Sequence, residues 1–145
     1  YSNLPLVECY PGELNQVFMN IITNAIDALE EQFNQIKEQD SSSLTCSPWI
    51  QIRTDVIESN WIAIRITNNG KAINEELSSK LFDPFFTTKP VGKGTGLGLS
   101  ISYQIVVKRH GGRLYCNSKV EQGAEFIIEI PMRQPIHQSA LEYTL

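Results

Sequence analysis

The chain is poor in the residues that most often announce a chemistry. Among 145 residues it has two histidines and three cysteines. Cys9, Cys46 and Cys116 lie far apart and none sits in a CxxC pair, so their odd number and isolation exclude a disulfide framework and a zinc knuckle. A reducing, cytoplasmic setting is expected. Positive charge is also scarce: 12 Lys and Arg stand against 16 Asp and Glu, a net charge of -4. That balance excludes the clustered basic footprint a nucleic-acid partner needs, while leaving room for a small anion held locally. No apolar run reaches the roughly 18 to 20 residues that cross a bilayer. Tyr1-Ser2-Asn3 carries neither an initiator Met nor a signal peptide, so the expectation is an excerpt of a longer chain, with any membrane anchor outside it. Two familiar glycine loops are missing too, since Gly94-x-Gly96-x-Gly98 is not GxGxxG and no Gly-Lys-Ser/Thr follows a glycine at the P-loop spacing.

What is present, 41% hydrophobic and 19% charged residues, suits one compact domain with a real core. Pro11-Gly12-Glu13 opens a helical pattern that runs to about Lys37, with proline where a first turn tolerates it. Residues 39–48 read as a polar loop. Trp49 to Ile57 and Trp61 to Thr67 read as a β-hairpin, broken by Asn68-Asn69-Gly70. A short helix is predicted over Asn74 to Lys80, followed by an irregular stretch from Asp83 to Gly96 of a length that usually carries function. Leu97 to His110 is apolar at helical spacing and is stopped by Gly111-Gly112, and Arg113 to Lys119 with Ala124 to Pro131 forms a second hairpin. His110 reads as a helix-end residue complementing the dipole, and His137 lies in a tail. The pattern predicts an α+β fold with helices layered on one face of a sheet, residues 1–133 as the domain and 134–145 as the tail.

Two features carry chemistry. The first is Lys93-Gly94-Thr95-Gly96-Leu97-Gly98-Leu99-Ser100, a glycine-punctuated turn ahead of a helix. Unobstructed N–H groups at a helix start, with Lys89 and Lys93 nearby, can hold phosphate oxygens. The second is a polar stripe on the first helix: Asn20, Thr23, Asn24 and Asp27 fall within a sector roughly 100° wide. Leu14, Val17, Phe18, Met19, Ile21, Ile22, Ala25, Ile26, Ala28 and Leu29 fill the remainder, which predicts a mostly buried helix. Exposed stripes usually carry Glu, Lys or Gln, because Asn is a poorer helix former. Amide oxygens at this spacing suit a hard cation such as Mg²⁺ when phosphates complete its shell.

Four separated blocks, in order, resemble the ATP-binding domain of sensor histidine kinases, within the group that includes gyrase, Hsp90 and MutL. Asn20-Ile21-Ile22-Thr23-Asn24-Ala25 is similar to that family's asparagine box. Leu81-Phe82-Asp83-Pro84-Phe85-Phe86-Thr87-Thr88-Lys89 is similar to its phenylalanine box, and Gly94-Thr95-Gly96-Leu97-Gly98-Leu99 to its second glycine box. Asn68-x-Gly70 matches the first glycine box in part. The resemblance implies a two-layer α/β sandwich: a mixed, mostly antiparallel sheet covered on one face by about three helices, with a mobile ATP lid near residues 85 to 96. It implies ATP and Mg²⁺ as cofactors, Asn24 as the metal ligand, and Asn20 and Lys89 as the groups beside the reacting phosphate. Asp27, Asn68, Gly70, Ile73, Phe85, Thr88, Lys93, Gly94, Thr95, Gly96, Leu97, Gly98 and Leu99 complete the implied nucleotide contacts. The implied partners are a dimerisation domain carrying the acceptor histidine, a response regulator and, in the full-length protein, a second copy.

The chain departs from the family's Asp-x-Gly-x-Gly at Asn68-Asn69-Gly70-Lys71-Ala72, and it has Ala124 where a hydroxyl often stands near the adenine. The family's aspartate accepts a hydrogen bond from the adenine amino group; an asparagine oxygen can do so without the charge. These departures leave an alternative, a degenerate module that binds nucleotide weakly or not at all and serves as an interaction domain. A MutL-type clamp would want a carboxylate base where Asn20 stands.

Overall fold

A computed structural model describes residues 3–39, 47–58, 60–90, 92, 94–119 and 123–134. Cys46, Lys93 and His137 lie outside the described residues, as does the expected tail from residue 135 onward.

Helix α1 spans Pro11–Gln39. Its first bond runs from the Leu14 N–H to the Tyr10 carbonyl at 3.0 Å, so proline occupies the turn where its missing N–H costs nothing. Leu14, Val17, Ile21, Ala25 and Leu29 are buried, a single stripe at helical spacing. The expectation of a mostly buried helix is corrected here: Met19 is 62% exposed and Ile26 43% exposed. The sheet covers one side of α1 only, so apolar residues on the flanks stay wet.

Strands β1 (Ile50–Glu58), β2 (Trp61–Asn68), β3 (Arg113–Lys119) and β4 (Gly123–Pro131) form one sheet in the order β1-β2-β4-β3. Every pairing among the described residues is antiparallel. Ahead of α1, Leu4, Val7 and Cys9 pack against the core, and the Glu8 N–H donates to the Met132 carbonyl just beyond β4 at 2.8 Å. Register aligns apolar rungs on the helix side: Ile52, Ile66, Phe126 and Cys116 in one, Thr54, Ile64, Ile128 and Leu114 in the next. Ile66, Ile128 and Ile130 are at most 1% exposed, and burying each such side chain contributes about 1.5 to 3 kcal/mol. Burial, reinforced by the charge of Glu125, pushes the Cys116 thiol up to about 12. On the opposite face a charged lattice covers Ala63 and Ile127. Arg113 lies 4.7 Å above the Trp61 ring and 3.2 Å from the Glu129 carboxylate, which also accepts from the Tyr115 hydroxyl at 2.7 Å.

Helix α2 is short, Glu75–Ser78, with the Asn74 side chain capping the Leu77 N–H at 2.8 Å. Helix α3, Gly98–Tyr103, continues without a break as a wider π-helical segment, Gln104–Arg109. There the His110 N–H bonds to the Ile105 carbonyl, five residues back, at 3.1 Å. His110 is fully buried, and its role differs from the expected charged helix end. Nε2 accepts from the Tyr10 N–H at 3.0 Å, which leaves the proton on Nδ1 to donate to the Ile105 carbonyl at 2.9 Å. An imidazolium would have no lone pair for Tyr10. The ring instead staples the start of α1 to the end of the π segment.

Candidate functional site

The polar stripe of α1 turns to a cleft of about 1190 Å³ and forms one wall of it, with the Asn68–Ile73 connection, Leu77 and Leu81 opposite and the 86–99 loop closing the third side. Asn20, Asn24, Asp27, Asn68, Ile73, Thr88, Lys89, Gly94, Thr95, Gly96, Gly98 and Leu99 all line it. Gly70, Leu97 and Phe85 do not. Gly70 lies behind Asn68, donating its N–H to Asn68 Oδ1 at 2.9 Å. Leu97 precedes α3, and its carbonyl accepts the Ile101 N–H at 2.9 Å. Phe85 turns outward, 75% exposed with φ at 64°, while its neighbour Phe86 lines the cleft.

The two asparagines of the stripe do different things. Asn20 Nδ2 donates to the Gly98 carbonyl at 3.0 Å and to Ser102 Oγ at 3.2 Å, while Ser102 Oγ donates to the same carbonyl at 2.8 Å. This triangle docks α3 on α1 and leaves Asn20 Oδ1 on the cleft side. Asn24, one turn on, meets a cation: Lys89 Nζ lies 3.4 Å from its Oδ1 and in direct contact with the Asp27 carboxylate. A loop ammonium thus rests where two hard oxygen donors converge.

That convergence tests the implied metal. A carboxamide and a carboxylate oxygen, one helical turn apart, are the donor chemistry of Mg²⁺, and Lys89 stands in for a cation there. No group of three or more His, Cys, Asp or Glu side chains gathers among the described residues. A divalent ion would therefore need further oxygens from an anionic ligand. The donor set fits the metal only together with phosphate.

The loop's path is set by close approach. Gly96 has φ at 68°, and a Cβ there would collide with the main chain of Phe85, so the two bends are locked together. Thr87 Oγ1 accepts the Lys89 N–H at 3.1 Å and Thr95 Oγ1 the Leu97 N–H at 3.3 Å, which fixes both threonines as turn residues. At the far end, Asn68 is 1% exposed, and Ile73, Leu77, Ala124 and Phe126 give that end apolar walls.

Sequence reasoning stopped the stripe too early. Glu30, Glu31 and Asn34 continue it along the cleft, at the same three- and four-residue spacing that joins Asn20 to Asp27. Extending the helical wheel by two turns would have found them. Lys71 forms a 2.8 Å ion pair with Glu31 across the rim, a contact 40 positions apart in sequence with no local signal.

Residues 10–134 match the family described as histidine kinase-, DNA gyrase B- and HSP90-like ATPases. The chain belongs to this family. Sensor kinase CckA of Brucella abortus is 37% identical over 126 residues, covering 83% of this chain and 12% of that protein. Sporulation kinase E of Bacillus subtilis is 31% identical over 133 residues, covering 92% of this chain and 16% of that protein. The solved catalytic domain of histidine kinase ThkA superposes with a TM-score of 0.68 at 35% identity, covering 88% of this chain and 72% of that one. A ThkA structure in complex with the response regulator TrrA gives 0.60 at 31% identity, covering 87% and 30%. The chain thus spans between 12% and 24% of the length of curated relatives it matches, and the shared part is the ATPase-family domain.

Proposed function

We propose that the chain is the catalytic ATP-binding domain of a two-component sensor histidine kinase, supplying the γ-phosphoryl group to a histidine on a separate dimerisation domain. One observation carries the reading. The Asn24 and Asp27 oxygens converge on a cation from a glycine-bent loop, inside a cleft of about 1190 Å³ that ends in an apolar slot at Asn68.

In this reading Asn24 holds Mg²⁺, with Asp27 a turn away. Bound Mg²⁺ neutralises charge on the phosphates and aligns the transferred group, which is most of what phosphoryl transfer needs. Lys89 would leave Asp27 for a phosphate oxygen as the ligand enters. The N–H groups of Gly96, Gly98 and Leu99, where the loop enters α3, would bind the remaining phosphate oxygens, and Asn20 fixes that turn through the Gly98 carbonyl. Ile73, Leu77 and Phe126 would give the base apolar surface at the Asn68 end of the cleft.

The acceptor belongs to another domain. His110 has both ring nitrogens committed, to Tyr10 and Ile105, and is fully buried, so it offers no nucleophile. A response regulator then takes the phosphoryl group, as the pairing of ThkA with TrrA suggests for this family, and the full-length protein works as a homodimer with this domain in the cytoplasm. Calorimetric titration with a nonhydrolysable ATP analogue, with and without Mg²⁺, tests the core of the reading. Binding that strengthens at least tenfold with Mg²⁺ is expected. No binding at millimolar nucleotide would leave the degenerate interaction module as the better account.

A further inference from the structure

Ser102 is fully buried on α3 and does not line the cleft. Its hydroxyl donates to the Gly98 carbonyl, one turn back, at 2.8 Å, and its oxygen accepts from Asn20 Nδ2 at 3.2 Å. Asn20 Nδ2 donates to the same carbonyl at 3.0 Å. The Gly98 carbonyl therefore receives two side-chain donors, one from its own helix and one from α1. A serine inside a helix often bonds back to the carbonyl four residues earlier. Here that bond falls on the residue where the glycine-bent loop becomes helix.

The carbonyl belongs to the peptide unit that also carries the Leu99 N–H. This unit is planar and trans, so its N–H points opposite to its C=O, and holding one end of the plane aims the other. Two donors arriving from different elements resist a rotation that one would permit. Gly98 has no side chain to restrain it, which makes the hold necessary. The first bond of α3 runs from the Ile101 N–H to the Leu97 carbonyl at 2.9 Å, so the Leu99 N–H is among the donors that a helix start leaves without an intrahelical partner. Gly98 and Leu99 both line the cleft. Hydrogen bonds accepted at the carbonyl also polarise the peptide, which strengthens its N–H as a donor.

We propose that Ser102 is a positioning residue for the phosphate end of the cleft. It touches no ligand and acts by holding the Gly98–Leu99 peptide so that the Leu99 N–H is aimed at a phosphate oxygen. The proposal rests on the nucleotide reading above and adds a residue to it. A role confined to docking α3 on α1 is a different account, because it would make Ser102 matter equally to every part of the ligand. Ser102→Ala separates the two cleanly. Asn20 Nδ2 keeps the Gly98 carbonyl when the hydroxyl is removed, so the variant leaves no buried donor unpaired.

The test compares the 145-residue chain with Ser102→Ala and Ser102→Thr. Each is titrated with a nonhydrolysable ATP analogue plus Mg²⁺ and, separately, with adenosine, while the Leu99 amide is followed by NMR. Threonine keeps a hydroxyl that can reach the carbonyl four residues back. In Ser102→Ala the analogue is expected to bind about three- to tenfold more weakly, whereas adenosine, which has no phosphate, changes by less than about twofold. Ser102→Thr is expected to keep the parent's ratio of the two affinities. The Leu99 amide proton, moved downfield by the analogue in the parent, is expected to move less in Ser102→Ala. Equal losses for both ligands, a ratio that falls in Ser102→Thr as it does in Ser102→Ala, or an analogue affinity and a Leu99 shift that survive the loss of the hydroxyl overturn the proposal and leave the nucleotide reading intact. A parent chain that binds neither ligand at millimolar concentration overturns the two together.

Discussion

Asn20 and Asn24 stand one helical turn apart, and the structure assigns them opposite dependences. Asn20→Ala removes two hydrogen bonds, at 3.0 Å to the Gly98 carbonyl and 3.2 Å to Ser102 Oγ, and leaves the fully buried Ser102 without its incoming donor. At about 1 kcal/mol per bond, the loss is about 2 kcal/mol. Alanine's better helix propensity returns about 0.5 kcal/mol. For a domain of this size each kcal/mol lowers the melting temperature by about 3 to 5 °C, so a fall of about 5 to 8 °C is expected. Asn24→Ala removes a single 3.4 Å contact with a lysine that keeps its partner Asp27, and propensity offsets that loss. Its melting temperature should stay within about 2 °C of the parent. Binding should show the reverse ordering: Asn24→Ala abolishes the Mg²⁺-dependent part of nucleotide affinity, whereas Asn20→Ala weakens affinity with and without Mg²⁺ because it loosens the turn at Gly98. Differential scanning fluorimetry and calorimetric titration on the two variants check both halves. Equal melting losses for the two, or Mg²⁺-dependent binding that survives Asn24→Ala, would falsify the assignment.

The Lys89–Asp27 pair ties the loop to α1, but the side chains are 31% and 39% exposed, so a double-mutant cycle with Lys89→Ala and Asp27→Asn should give a coupling of only about 0.5 to 1 kcal/mol, declining with salt. Amide exchange across residues 86–96 should speed up about two- to fivefold in Lys89→Ala with little change in global stability, and a coupling above about 2 kcal/mol would mean that the pair is structural. The Cys116 thiol titrates near 12 in the fold, whereas the unfolded thiol titrates near about 8.5, so the unfolded state binds fewer protons between those values and stability falls as pH rises through that window. Urea unfolding at pH 8 and pH 10.5 should show a smaller pH loss for Cys116→Ala than for the parent, and parallel losses would remove Cys116 from the account.

What the sequence made legible follows from what is local. Periodicity alone put Asn20, Asn24 and Asp27 on one side of α1, because a 3.6-residue repeat needs no partner to be read. The apolar remainder of that wheel implied a mostly buried helix, and Met19 and Ile26 show why that failed: periodicity marks a face without saying how many elements cover it. The Pro11 start and the Gly111 stop are likewise local, and they fell where expected, whereas the short helix predicted over Asn74 to Lys80 is confined to Glu75–Ser78. Lys89 meeting Asp27, Lys71 meeting Glu31 and Nδ2 of Asn68 meeting the Ala124 carbonyl depend on register between distant segments, which no window of sequence carries. Asn68 shows the consequence for function. Read as a letter, it is a carboxylate missing its charge and a contact weakened. Set opposite Ala124 by the β2–β4 register, it donates to that carbonyl at 3.3 Å, a bond that a carboxylate could not make. A glycine that admits no Cβ, Gly123, holds the strand close enough for that bond to form.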